Sequence, residues 1–150
     1  MRLSFTMMEL IFVIVILGIL AVVAIPKLIA TRNDAHIAVL ANQLKSASDE
    51  IVSYVFSQMR VEDNLSKMSN ILEELEAKGV VTIDTSNKKA IVKIGNIDNC
   101  IEFKIESGSN EENLTLKAND PDDDVECKGV QNLINFKNYP IVLRGQLVKY

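Results

Sequence analysis

The chain has 150 residues, 48% apolar, 24% charged and 5% aromatic, with a formal net charge of −4. This length predicts one domain with at most an appendage, and the apolar fraction excludes a disordered chain. The mild acidity argues against nucleic acid as a bulk electrostatic partner, which needs a basic face. A single histidine leaves little material for His-based catalysis or a His-rich metal site.

From Leu10 to Ile25 no residue carries a polar side chain, and Met7 and Met8 extend the apolar stretch back across a single Glu9. A helix crosses the hydrocarbon core with roughly 20 mostly apolar residues, and Met7 to Ala30 meets that length if Glu9 is accommodated. In lipid a single segment satisfies its own backbone only as a helix. A soluble core helix would show a polar face, and this stretch shows none. A secretory signal peptide needs a basic start and a small-x-small cleavage site. Arg2 supplies a minimal start, but Leu28-Ile29-Ala30 is a poor site with Lys27 beside it. A plain anchor leaves Glu9 unexplained, because a carboxylate in the bilayer costs about 2–3 kcal/mol or more unless paired. Two readings remain for Glu9. It sits at the headgroup boundary, where the helix N-terminus favours an anion, or it pairs with a cation of a neighbouring subunit. An α-amino group freed by cleavage before Phe5 would serve as that cation.

Ser4-Phe5-Thr6-Met7-Met8-Glu9-Leu10-Ile11, followed by the long apolar run and Pro26, resembles the N-terminus of type IV pilins and of the pseudopilins of type II secretion and DNA uptake. The match is close over residues 1–32 and looser along the helix to about Met59. The resemblance implies that a prepilin peptidase cuts between Ser4 and Phe5 and methylates the new Phe5 amine. It implies that Glu9 neutralises the Phe5 amine of an adjacent subunit during assembly. Ser4 stands where the family usually has Gly, a departure that keeps the small size. The implied partners are the prepilin peptidase, identical or related subunits in a filament, and an inner-membrane assembly platform. The implied location is an inner-membrane precursor with its head in the periplasm, and the filament after assembly. Gly18 and Pro26 weaken one stretch of the helix. They mark either a tolerated kink or a stretch that loosens on assembly.

Beyond Pro26, Ile37, Leu40, Ala41, Leu44, Ile51, Val52, Val55 and Met59 recur at helical spacing. This predicts one helix from about Thr6 to Met59, apolar all round in its first half and one-sided in its second. His36 reads as a solvated surface residue. A second helix is expected over Leu65–Lys78 with the face Ile71, Leu72 and Leu75, stopped at Gly79. Strands are expected at Val80–Ile83 and Ala90–Ile94. Ile101–Ile105 and Leu114–Ala118 alternate as a hairpin about a turn at Ser107-Gly108-Ser109-Asn110, and Ile141–Leu147 closes the sheet. The fold class is therefore α+β, a long helix laid on a small antiparallel sheet. The expected organisation is a leader at 1–4, an assembly helix at 5–30 and a pilin-like head at 31–150.

Cys100 and Cys127 are the only cysteines and lie in the part that would be exported. There a disulfide is the natural reading, with two free thiols as the alternative. Asp120, Asp122 and Asp124 alternate in an acidic run that offers oxygens to Ca²⁺. The EF-hand pattern fails, with Val125 at the sixth position and Gln131 at the twelfth. A solvated acidic loop is the plainer reading, and no other cofactor is implied. No nucleophile-base set or phosphate loop appears, and Lys88-Lys89 make no basic stripe for direct nucleic-acid binding. The sequence reads as a structural subunit rather than an enzyme. The rival is a signal-anchored periplasmic binding or adaptor domain that never polymerises.

Overall fold

The computed structural model describes residues 6–108 and 111–145, with the side chains at 23, 26, 28–30 and 145 outside the description. The chain divides into two compact units, Met1–His36 and Ile37–Tyr150. Helix α1, Met7–Gln58, runs for 52 residues from the first unit into the second. In the second unit follow a single 3-10 turn at Leu65–Met68 and α2 at Asn70–Ala77. The strands β1 Val81–Asp84, β2 Lys89–Ile94, β3 Ile97–Ser107 and β4 Glu111–Ala118 come next, then α3 at Val125–Leu133. A 3-10 turn at Phe136–Asn138 leads to β5 at Ile141–Gly145.

The five strands form an antiparallel meander in the order β1-β2-β3-β4-β5. Strand alternation puts Val81, Val92, Ile101, Phe103, Ile105, Leu114 and Leu116 on one face, all of them buried. They share a core with Ile37, Leu40, Ala41, Leu44, Ala47, Ile51 and Val55 of α1 and with Leu72 and Leu75 of α2. The opposite face carries charge: Lys89 lies across from Lys104 and meets the diagonal Glu102 at 3.0 Å. The α+β architecture, the helix and the antiparallel sheet are as the sequence predicts. Val52 is partly buried against the core. Met59 is not in the core: it is 73% exposed and takes φ 53°, one residue past the helix end.

The expected second helix is divided. Ser69 sits extended between the 3-10 turn and α2 and caps α2, its Oγ accepting from Leu72 N at 3.1 Å. That Oγ in turn donates to Glu50 Oε2 at 2.7 Å, and Ile71 N donates to the same oxygen at 3.2 Å. The break exists because a carboxylate of α1 and a serine together satisfy the first N–H groups of α2. Gly79 does stop it: φ is +72°, Gly79 N donates to Glu76 O and Val80 N to Leu75 O. This is the Schellman pattern, which needs a left-handed residue at that position.

The acidic run is the second departure. It stays a loop through Asp124, as expected, but leads straight into α3, which the sequence pattern did not predict. In the turn expected at Ser107–Asn110, Ser109 and Asn110 lie outside the described residues, as do the last two residues of the expected Ile141–Leu147 strand.

Candidate functional site

From Met7 on, the described residues of the first unit belong to α1, and their apolar side chains are exposed. The large apolar side chains described between Leu10 and Ile25 are each 42% to 73% exposed, and Met7 and Met8 more so. A helix apolar all round is stable in water only when something covers it. Among the described residues, however, no helix is long and apolar enough to cross a membrane.

Thr6 and Glu9 close the start of this helix. Thr6 Oγ1 accepts from Glu9 N at 3.3 Å and lies 3.5 Å from Glu9 Oε2, to which it donates. The Thr-x-x-Glu spacing is that of a capping box, so the carboxylate also answers the helix dipole. Both residues remain exposed. The sequence reading gave Glu9 a place at the helix N-terminus but missed its bonds to Thr6, although Thr6 three residues before it was a readable signal. Ser4 and Phe5 lie outside the described residues. Helix assignment is unbroken through Gly18 and Pro26, and a Cβ on Gly18 would meet nothing within 4 Å. Thr31 Oγ1 donates back to Lys27 O at 2.9 Å, a bond that favours bending at this level of a helix. His36 is exposed.

In the second unit Cys100 of β3 and Cys127 of α3 form a disulfide, Cα–Cα 5.9 Å, with both residues buried. Gln131 covers it, Nε2 donating to Cys100 O at 2.9 Å and to Asn119 O at 2.8 Å. The aspartates of the acidic run do not converge. Asp124 Oδ1 accepts from Cys127 N at 2.8 Å and caps α3, while Oδ2 accepts from Asn96 N at 3.0 Å in the β2–β3 turn. Asp120 Oδ1 accepts from Asp122 N at 3.0 Å. Among the described residues no group of three or more His, Cys, Asp or Glu is placed to hold a metal. In this structure Asp124 serves as the cap of α3 and Asp120 closes the turn through Asp122 N.

An open groove of about 760 Å³ runs between α1 and the 3-10 turn and α2, lined by Ser46, Asp49, Glu50, Ser53, Tyr54 and Ser57 among others. Its one inward-bonded carboxylate, Glu50, is committed to the α2 N-terminus.

No family model, no curated protein and no solved structure matches the chain.

Proposed function

We propose that the chain is a structural subunit of a type IV pilus or of a type II secretion-type pseudopilus. In this reading a prepilin peptidase removes residues 1–4, Phe5 is N-methylated, and subunits released from the inner membrane polymerise through their N-terminal helices. The observation that carries the reading is α1 itself: the described large apolar side chains from Leu10 to Ile25 are all exposed, with one carboxylate at the helix start. In the sequence the run reaches from Met7 to Ala30, close to the roughly 20 residues a spanning helix needs. A bilayer covers such a surface before assembly, and neighbouring helices cover it afterwards. The prepilin-type motif around Phe5 and Glu9 supplies the route from one state to the other. The disulfide-bonded α+β head is compatible with an oxidising compartment.

The Thr6–Glu9 contact favours one rival, in which Glu9 is only a helix cap on a non-polymerising anchored domain. The two separate on Glu9→Ala. The non-polymerising rival predicts a membrane-inserted protein without cross-linked subunit ladders, in the wild type and in Glu9→Ala alike. The assembly role predicts normal insertion and a loss of ladders of at least about tenfold, equivalent to roughly 1.4 kcal/mol per contact. Wild-type ladders from Glu9→Ala at equal membrane level would remove the assembly role.

A further inference from the structure

Two stretches of the chain read Glu62-Asp63-Asn64-Leu65-Ser66 and Glu111-Glu112-Asn113-Leu114-Thr115. Each contains Asn-x-Ser/Thr with x not proline, the acceptor pattern for N-glycosylation. Each also has glutamate two places before the asparagine, the anionic extension that bacterial-type oligosaccharyltransferases select. The pattern does not separate the two sites, but their structural settings do.

Asn113 lies inside the sheet. It is paired with Glu106 of β3 on one side and Val142 of β5 on the other, and its Oδ1 is buried. A transferase would have to draw β4 out of both ladders to reach it. Asn64 lies in the connection between α1 and α2, outside any ladder. Its Oδ1 accepts from Ser66 N at 2.9 Å, folding the sequon into a tight turn. Among the described residues no hydrogen bond takes up Asn64 Nδ2, the atom that would react. Asp63 beside it is exposed, and Glu62 is held by Arg60 at 2.7 Å and by Tyr54 Oη at 3.2 Å. Arg60 is itself 67% exposed, so this pair exchanges readily for a cation on an enzyme. Leu65 and Ser66 are buried, and Ser66 Oγ donates to Glu76. Presenting them requires lifting one 3-10 turn of four residues, a far smaller rearrangement than opening a sheet.

We propose that Asn64 is an N-glycosylation acceptor that takes an oligosaccharide from a polyprenyl-diphosphate-linked donor, and that Asn113 is not. In the transfer, Asn64 Nδ2 attacks the anomeric carbon of the first sugar. The N–C bond forms as the C–O bond to the diphosphate breaks. The polyprenyl diphosphate leaves with the electron pair, and an amide proton passes to a base of the transferase. The proposal rests on the reading that the head is exported, because donor and transferase face the non-cytoplasmic side of the membrane.

The test is to co-express the full chain in a bacterium carrying a single-subunit oligosaccharyltransferase and a lipid-linked oligosaccharide of known mass. Intact mass and glycopeptide spectra then report the glycan and the Cys100–Cys127 oxidation state together. The expected result is an oxidised chain with one glycan, on the Asn64 peptide, abolished by Asn64→Gln and reduced severalfold by Glu62→Gln, which leaves the acceptor turn in place. An oxidised chain without glycan, or one modified at Asn113 as much as at Asn64, overturns the proposal while export stands. Reduced cysteines without glycan overturn export and the proposal with it.

Discussion

The two oxygens of Asp124 hold different parts of the chain, one the N-terminus of α3 and the other the β2–β3 turn. These bonds, that to Cys127 N first and that to Asn96 N next, hold its carboxyl below the usual aspartate range. A pKa lowered in the folded state stabilises the fold above the unfolded value of about 3.9 and ceases to do so as pH falls through the folded pKa. Asp124→Ala should cost about 0.5–2 kcal/mol at neutral pH, the usual value of a lost cap. The gap to wild type should shrink in acid, below the ordinary aspartate range. Thermal melts in detergent at neutral and strongly acidic pH check this, and a gap independent of pH would contradict it. Gly95 belongs to the same joint. It sits at φ +58°, and a Cβ there would overlap the Asp124 carboxylate. Left-handed strain alone costs roughly 1–2 kcal/mol, so Gly95→Ala should lower Tm by about 4 °C or more once the displaced carboxylate is added. An unchanged Tm would show that the joint carries no stability.

Among the elements, α1 and the β3–β4 hairpin were legible because each repeats one period over many residues. Ile37 to Val55 keep helical spacing, and Ile101 to Ala118 keep strict alternation on either side of a turn. The helix α3 was not legible. Its apolar positions are few, Gly129 lies inside it, and it opens directly after three consecutive aspartates. What makes it a helix is long-range: the disulfide to β3, the Asp124 cap shared with a distant turn, and close packing of Gly129 on Ile37, where a Cβ would come within 2.8 Å of the isoleucine Cδ1. The split before α2 was hidden for the same reason, since it depends on Glu50 of another helix. If the disulfide pins α3 to the sheet, Cys100→Ser/Cys127→Ser should destabilise the head by about 2–4 kcal/mol. Hydrogen exchange should then rise first in Val125–Leu133. Uniform loss of protection across the sheet instead would mean that α3 is not a separate unit held by the bridge.

At the scale of the molecule, the second unit has a well-packed core, and the described apolar side chains of the first unit are exposed. That imbalance was visible in the sequence as sixteen residues without a polar side chain. The role of Glu9 was only half visible. The Thr6 contact gives it a local duty within one subunit, whereas the proposed assembly duty lies between subunits. The same carboxylate serves both if each oxygen meets a different partner. In the proposed function, polymerisation gives the exposed apolar helix burial and gives its N-terminal carboxylate a cation. The cation in this account is the amine of a processed neighbour, so processing is the step on which the rest depends. Intact mass and N-terminal sequencing of the protein recovered from its native membrane test it most directly. The account predicts a chain that begins at Phe5, lacks Met1 to Ser4 and carries one methyl group on the new amine. A chain that retains Met1, or one cut near Ala30, would contradict it.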